Sequence, residues 1–302
     1  MKKILFVSPR FHTNLFHTIK HLKSKNYKIR FLVSNKQLIE DYTHIKPIII
    51  KTSYFSFFIS KILKKFNKNN RFYFPKFNKL YFYILKYKPN LIILRNFNKF
   101  FGLMVVIVGK LLGIKIIFYE QLSYSFFKKN KIKLIYYSIR NFLLNTYFYT
   151  PVFKNFSKIN FIYNFFYIPF LVDIKKNIYL QKKKIKILFV GKFIPRKNLI
   201  LLLKTLYKLD NKYDFQLTII GEASKREHYK FLKYSKKFIN NKNFNNKIII
   251  KTNLKYHETV KYYKESDLFI LPSKAEPASI SVLEAMGYGT PVICSKGNGA
   301  SF

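Results

Sequence analysis

The segment PSKAEPASISVLEAMGYGTPVICS, residues 272–295, decides the fold of the second half of the chain. It follows an apolar run typical of a strand, and it contains a predicted helix that ends near Gly287 or Gly289. Glu276 lies in the loop before this helix, and Glu284 lies roughly two turns further along the chain. A helix N-terminus presents unpaired backbone N–H groups, which favour an anionic ligand. The segment therefore predicts a strand–loop–helix unit that binds an anion.

The two glutamates stand out because acidic residues are rare in this chain. Only 13 of 302 residues are Asp or Glu, against 57 Lys and Arg, which gives a net charge of +44. Carboxylates accept hydrogen bonds from hydroxyl groups, and a nucleotide-sugar offers hydroxyls on both sides of its diphosphate. With this spacing, one carboxylate can contact such a ligand at the N-terminus of the helix, and the other can reach a more distant part of the ligand. The alternative is that Glu276 and Glu284 are ordinary charges on a loop and a helix surface.

A second informative segment is GKFIPRKN, residues 191–198. A predicted strand ends at Gly191, and cations follow at Lys192, Arg196 and Lys197. Cations in a strand-end loop can neutralise a diphosphate as it leaves a sugar. Lysine is so abundant here that three cations in six residues also fit chance.

Predicted strands and helices alternate along the chain, which is typical of parallel α/β sheets. One series begins at Lys3 and continues to about Phe148, and a second begins at Lys186. We therefore predict an α/β protein with two Rossmann-like doubly wound domains facing a cleft, residues 1–180 and 181–302. The predicted helices are Leu15–Ser24, Tyr54–Lys65, Lys79–Tyr87, Leu103–Leu112, Leu199–Leu209, Glu227–Asn240, Tyr256–Glu265 and the helix that carries Glu284.

The basic charge is concentrated in the first half. Residues 1–172 contain 31 basic and 3 acidic side chains, a net +28, and the remainder contains 26 and 10, a net +16. Such a field attracts polyanions or anionic lipid. A solvated lysine coat and an anionic membrane surface as partner both fit. The basic, aromatic segment Tyr54–Phe77 fits a membrane-facing helix or core better than single-stranded nucleic acid, so nucleic acid is disfavoured as a partner.

Cysteine usage and apolar runs predict the compartment. The single cysteine, Cys294, excludes an intrachain disulfide, and its apolar neighbours favour a core residue over a nucleophile. The longest apolar run, Phe100–Val108, falls short of the roughly 20 residues that span a bilayer. The first residues lack a signal-peptide pattern. We predict a cytoplasmic protein, soluble or peripheral on the inner face of the membrane.

The sequence predicts neither a metal site nor a cofactor. His12, His17 and His21 can share one helix face, but they have no acidic or cysteine partner there. No Asp-x-Asp motif occurs in the chain, so a metal-bound diphosphate is disfavoured.

Four motifs occur in one order, and together they resemble a known family. The order is similar to that of the retaining glycosyltransferases of family 4, which have the GT-B architecture. The resemblance is strong from about residue 186 to 299 and looser over 1–180. The motifs are a strand followed by Gly-Lys-x₄-Lys (186–197), a strand ending in Gly-Glu (217–222), a helix end (262–267), and Pro-Ser-x-x-Glu-x₇-Glu-Ala-Met-x-x-Gly-Thr-Pro-Val-Ile (272–293).

The resemblance implies a role for each matching residue. Lys192 and Lys197 match the basic positions that bind the donor diphosphate, although the family usually has arginine at the first. Glu276 matches the glutamate that contacts hydroxyls of the donor sugar, and it is the predicted catalytic residue. Glu284 matches the glutamate that holds the ribose, and Gly221 matches a turn near the nucleotide base.

Two further positions depart from the family. Pro277 replaces the first residue of a common Gly-Phe-Gly, which restricts the loop. Many relatives have a histidine where this chain has Glu120 and Gln121, so an acceptor-side role would fall on these two residues. The loop whose amides face phosphate and sugar in the family corresponds here to Ala278, Ser279 and Ile280.

The resemblance implies metal-independent, retaining transfer of a sugar from a nucleotide-sugar donor to a surface-polysaccharide or lipid-linked acceptor. Relatives continue well past residue 299, so the second domain is expected to be truncated at its C-terminus. Two alternatives stay open at this point: an inactive remnant that only binds nucleotide, and a basic nucleic-acid-binding module.

Overall fold

The protein forms two compact units, and the division between them falls between Leu171 and Val172. The predicted boundary between residues 180 and 181 lies outside the described residues. The computed structural model describes residues 1–34, 40–56, 58, 74–97, 99–121, 131–151, 163–174, 184–242, 244, 247–274 and 276–300.

The first unit is built on a seven-stranded parallel sheet with the strand order β3-β2-β1-β4-β5-β6-β7. Continuous apolar runs form these strands because both faces of a parallel sheet are covered. The strands are β1 (Lys3–Ser8), β2 (Lys28–Val33), β3 (Ile48–Ile49), β4 (Leu91–Arg95), β5 (Lys115–Tyr119), β6 (Tyr147–Thr150) and β7 (Phe165–Tyr167). The described helices are α1 (Phe16–Ser24), α2 (Phe77–Tyr87), α3 (Phe100–Leu111) and α4 (Lys131–Leu143).

Three of these helices pack on the same core. Leu80 of α2, Val105 of α3 and Leu134 of α4 belong to one buried cluster, which also contains Leu5 and Val7 of strand β1. This arrangement places α2, α3 and α4 in one layer over the sheet, and their opposite sides point away from its core.

The second unit has a five-stranded parallel sheet with the order β10-β9-β8-β11-β12. Its strands are β8 (Ile185–Val190), β9 (Phe215–Gly221), β10 (Ile248–Thr252), β11 (Leu268–Leu271) and β12 (Val292–Cys294). Its helices are α5 (Leu199–Leu209), α6 (Arg226–Asn241), α7 (Tyr256–Glu265) and α8 (Ile280–Gly287). The strand order reverses between β8 and β11, and in open α/β sheets ligands bind outside the carboxyl ends of the strands at such a switch point.

The α/β prediction is confirmed. Helices α5 and α7 have the predicted bounds. Most of the predicted helix Tyr54–Lys65 lies outside the described residues. Cys294 lies on β12, where it packs partly buried against the core, and burial raises the pKa of its thiol. No helix within the described ranges is long and apolar enough to cross a membrane.

Candidate functional site

Two loops of the second unit meet at the switch point of its sheet. One follows β8 and ends in a short 3₁₀ turn at Pro195–Lys197, and the other follows β11. The Lys274 N–H donates a hydrogen bond to the carbonyl of Arg196 at 2.8 Å and joins the two loops. Asn198 has a left-handed backbone with φ of 56°, which turns the chain into α5. The switch point therefore brings the two motifs from the sequence together.

Glu276 is the centre of a three-residue ion cluster. Its Oε2 accepts hydrogen bonds from Arg196 Nη1 and from Lys197 Nζ, both at 2.7 Å. Glu276 and Lys197 are buried, whereas Arg196 is about two-fifths exposed. Among the described residues no donor contacts Oε1 of Glu276. One carboxylate oxygen is thus occupied by cations, and the other is available to accept from a hydroxyl.

The environment of Lys197 is electropositive despite this carboxylate. Burial lowers the pKa of Lys197, and Glu276 opposes that effect. The neighbouring charges of Arg196 and Lys192 lower the pKa further. An anion placed beside these three cations would relieve their mutual repulsion.

Lys192 is held at the end of β9 and not at Glu276. Its Nζ lies 2.7 Å from Oε2 of Glu222, and the Ser224 hydroxyl donates to the other oxygen of Glu222 at 2.6 Å. The side chain of Lys192 is about a third exposed. Lys192 therefore faces solvent next to the cluster and acts on Lys197 through its charge.

Gly221 makes room for an aromatic ring of the β8 loop. A Cβ atom at Gly221 would lie 2.2 Å from Cε2 of Phe193, a distance that no packed side chain tolerates. Phe193 is buried, and it lies between Lys192 and the 3₁₀ turn in sequence. The close approach at Gly221 therefore anchors the loop that carries the cations.

The N-terminus of α8 begins at the Glu276 loop. Ser279 is the N-cap residue in extended conformation, and its side chain makes no capping hydrogen bond to the helix backbone. Its hydroxyl instead lies 2.9 Å from the hydroxyl of Ser281. Ala278 and Ser279 are buried, and Ile280 is the first residue of the helix.

Glu284 lies inside the second unit. Its Oε2 accepts a hydrogen bond from the Tyr263 hydroxyl at 2.9 Å, and both side chains are buried. Burial and the neighbouring Glu284 charge raise the pKa of Tyr263, so this phenol stays a neutral donor. Since both Glu276 and Glu284 are buried, the interpretation of the pair as surface charges is wrong.

A loop after β12 supports the backbone at Glu276. The Gly299 N–H donates to the Glu276 carbonyl at 2.9 Å. A Cβ atom at Gly299 would lie 1.6 Å from the carbonyl oxygen of Pro277, so this contact requires glycine. The Ser295 hydroxyl also donates to the carbonyl of Ser273.

Glu120 and Gln121 lie in the first unit, just after β5. Glu120 Oε1 accepts the Asn96 N–H at 2.8 Å, and Gln121 Oε1 accepts from Arg95 Nη2 at 2.9 Å. Burial raises the pKa of Glu120, although the charge of Arg95 and the Asn96 hydrogen bond oppose the shift. Both side chains therefore hold neighbouring structure, and their acceptor-side role stays a prediction.

The raised pKa of Glu120 has a testable consequence for stability. The folded state keeps this proton to a higher pH than the unfolded chain, whose carboxyl has an ordinary pKa of 4.5. The parent should lose stability, relative to Glu120→Gln, as the pH rises above the ordinary value, because the amide of the variant cannot ionise. Urea unfolding of both proteins between about pH 4 and pH 8 measures this difference. The exposed Glu227→Gln is the control, and a parent that gains stability relative to Glu120→Gln as the pH rises would contradict the assignment.

The sequence underweighted three residues of the site. The sequence identifies Arg196 as a cation next to Lys197, but it does not predict that both contact Glu276. Glu222 is the first residue after β9, directly following Gly221. Tyr263 lies four residues after the buried Thr259, and this spacing places both on the inner side of α7. Within the described part of the chain, no three His, Cys, Asp or Glu side chains are grouped so as to hold a metal ion.

Comparison with known proteins finds a family match over the second unit. Residues 173–301 match the family described as "Glycosyl transferases group 1". An uncharacterized glycosyltransferase of Methanocaldococcus jannaschii is 28% identical over 128 residues, which are 42% of this chain and 31% of that protein. The chain spans about a third of the length of the curated relatives it matches.

Solved structures resemble the whole chain. The Anabaena protein HepE, in complex with UDP and glucose, superposes with a TM-score of 0.70 at 14% identity, over 99% of this chain and 82% of HepE. WaaG, a glycosyltransferase involved in lipopolysaccharide biosynthesis, gives a TM-score of 0.63 at 11% identity, over 99% and 82%. Identities this low establish the fold alone, and the fold is the predicted GT-B type. Residues 173–301 therefore match the glycosyl transferases group 1 family, and the chain has the GT-B fold.

Proposed function

We propose that the protein transfers a sugar, with retention of anomeric configuration, from a nucleotide-sugar donor to a glycan or lipid-linked acceptor. The observation that carries the proposal is the cluster of Glu276, Arg196 and Lys197 at the switch point of the family domain. The cluster offers cations that can bind a diphosphate and a carboxylate oxygen that can accept a hydrogen bond from a hydroxyl. A nucleotide-sugar carries both a diphosphate and hydroxyl groups.

The cations are assigned to the leaving group. When the bond between the anomeric carbon and the phosphate oxygen breaks, the electron pair leaves with the diphosphate and adds negative charge there. Lys197 and Lys192 would stabilise that charge, with Arg196 as a third cation. The acceptor oxygen bonds to the same face of the anomeric carbon and passes its proton to the departing phosphate. In this proposal side-chain cations neutralise the diphosphate, and no metal ion is required.

The remaining residues are assigned to the sugar, the ribose, the phosphate and the base of the donor. Glu276 orients the sugar through its Oε1, and Glu284 holds the ribose from a position fixed by Tyr263. The backbone N–H groups at the start of α8 face the phosphate and the sugar. Gly221, at the end of β9, lies near the base. The residues concerned at the start of α8 are Ala278, Ser279 and Ile280.

For the acceptor we propose only a chemical class, and for the location a compartment. WaaG supports a surface polysaccharide or a lipid-linked glycan as acceptor, because its described role is in lipopolysaccharide biosynthesis. A cytoplasmic location fits the single cysteine and the supply of nucleotide-sugars. Glu120 and Gln121 are the proposed acceptor-side residues.

A nucleotide-sugar screen by thermal unfolding tests the proposal. A donor at about a hundred times its Kd should stabilise the folded protein by about 2.7 kcal/mol, because it binds only the folded state. Lys197→Met should lose most of this stabilisation. Lys204→Met is the matched control, since Lys204 is an exposed cation on α5 of the same unit, and it should respond like the parent.

The outcomes of this screen separate the alternatives. If no nucleotide or nucleotide-sugar raises the unfolding temperature, the proposed donor site is wrong. Stabilisation by a donor without release of its sugar to any glycan or lipid-linked acceptor would favour the nucleotide-binding remnant over the transferase.

A further inference from the structure

Helix α4 carries large apolar side chains on both of its sides. On the inner side, Leu134 and Tyr137 are buried in the core of the first unit. On the outer side, six apolar residues are exposed to between 50 and 83%. We call these six residues the outer face of α4: Ile132, Ile135, Tyr136, Ile139, Phe142 and Leu143.

The outer face is one continuous stripe. Its residues recur at intervals of three and four, which places them along one side of the helix. Single exposed apolar residues are normal on protein surfaces, whereas a contiguous apolar patch marks a binding surface. Phe142 extends the patch beyond the helix, because its ring packs edge-on against the Tyr163 ring at 5.6 Å.

A second helix of the same layer also exposes apolar side chains. Helix α3, which packs on the same core, exposes Leu103, Ile107 and Leu111 at four-residue spacing. Lys110 of α3 donates to the carbonyl of Asn145 at 3.5 Å and so ties the end of α3 to the turn after α4. Two helices of one layer thus present apolar side chains away from the core.

The first unit has almost no exposed negative charge to accompany this patch. Residues 1–171 contain three carboxylates, Glu40, Asp41 and Glu120. Glu40 and Asp41 are buried, and Glu120 is mostly buried after β5. The same residues include 31 Lys and Arg. Exposed lysines border the apolar stripe, among them Lys133 on α4 and Lys110 on α3.

This combination selects one kind of partner. A second copy of the chain would bring an equally positive surface against this one, which opposes self-association. A nucleic acid would satisfy the lysines but would leave the Ile, Leu and Phe side chains without an apolar partner. An anionic bilayer satisfies both, because its acyl boundary takes the apolar side chains and its phosphates take the lysines.

We propose that the outer face of α4 docks the protein on an anionic membrane surface, with Ile139 and Phe142 inserted at the boundary of headgroups and acyl chains. The contact is peripheral: the helix has 13 residues and lies along the surface. The proposal does not depend on the assigned sugar transfer, because binding to lipid can be measured without donor or acceptor.

A single tryptophan can report the insertion. The chain contains no Trp, so Phe142→Trp places a lone indole on the outer face. Vesicles of phosphatidylcholine with phosphatidylglycerol should shift its fluorescence to shorter wavelength, and brominated lipids should quench it. Leu201→Trp is the matched control, because Leu201 is an exposed apolar residue of α5 in the second unit, and its emission should not change. An unchanged Phe142→Trp spectrum with anionic vesicles would overturn the proposal.

A charge reversal tests the same face by co-sedimentation. Ile139→Glu puts a carboxylate among lipid phosphates and should weaken binding to anionic vesicles by about tenfold or more. Leu201→Glu should bind like the parent. Binding of the parent should also fall on vesicles of phosphatidylcholine alone.

The contrary outcomes are equally specific. If Ile139→Glu binds the vesicles as well as Leu201→Glu does, the face is not the docking surface. If the parent is a dimer by light scattering and Ile139→Glu is a monomer, the face is occupied by a second copy and the membrane proposal is wrong. Circular dichroism of both variants checks that the fold is intact, which is expected because Ile139 is about half exposed.

Discussion

The Glu276→Gln variant is expected to lose sugar transfer by a factor of about 100 to 1000, the range found when a group that stabilises a transition state is removed. Glutamine has nearly the same shape, but it carries no charge to hold Arg196 and Lys197 in place. It also presents a weaker acceptor to the sugar hydroxyl. A steady-state assay with the donor found in the nucleotide-sugar screen measures the loss in kcat and in KM separately.

The same variant should be less stable, and the pattern among variants tests the ion cluster. Glu276→Gln leaves the buried Lys197 without its carboxylate, and breaking a buried pair in this way costs about 3 kcal/mol. Lys197→Met should cost less, because Glu276 keeps Arg196 at 2.7 Å. The double variant should recover part of the loss of Glu276→Gln, because it no longer buries an unpaired cation.

Urea unfolding of the four proteins gives the coupling free energy. Losses that simply add would show that Glu276 and Lys197 do not interact in solution. An active and stable Glu276→Gln protein would remove the basis for both the catalytic and the structural assignment.

The second large effect is expected from Gly221→Ala. Its new methyl group would meet the buried Phe193 ring at 2.2 Å, so the ring and the loop that carries it must move. We expect a loss of about 2 to 3 kcal/mol in the free energy of unfolding, the usual result of overpacking a core. Transfer should also fall, because Phe193 anchors the segment that holds Lys192 and Lys197.

A second substitution should relieve this clash. Phe193→Leu removes the ring atoms in question, so Gly221→Ala is expected to cost much less in a Phe193→Leu background. Gly191→Ala is the control, because a methyl group there would meet Lys197 at an ordinary 3.4 Å. If Gly191→Ala and Gly221→Ala destabilise the protein equally, the close approach of Phe193 is not what requires glycine at position 221.

The sequence predicted the second unit better than the first, for a physical reason. Strand–helix alternation and strong apolar periodicity set the bounds of α5 and α7, and the motifs lie at strand ends where a parallel sheet collects its loops. The first unit has aromatic and lysine residues on nearly every element, so periodicity separates inside from outside poorly there. Helix α4 is the clearest case. Both of its sides are apolar, so its sequence periodicity does not show which side faces the core.

Within the site, residue types were predictable and partners were not. Two carboxylates and a group of cations could be assigned to one ligand from their motifs. That Arg196 and Lys197 share one oxygen of Glu276, while Lys192 pairs with Glu222, depends on the left-handed turn at Asn198 and on distances that spacing does not encode. The burial of Glu284 against Tyr263 likewise arises from tertiary packing.

The burial of nearly all carboxylates in the first unit also determines what surrounds it in solution. Residues 1–171 contain 31 Lys and Arg against three carboxylates, so most of this positive charge is balanced by anions from the medium. At low ionic strength this unit repels itself, and dissolved salt relieves that repulsion by screening it within about a nanometre. Buffer anions therefore accumulate at the positive surface of the first unit, and polyanions from a cell extract will compete with them for that surface.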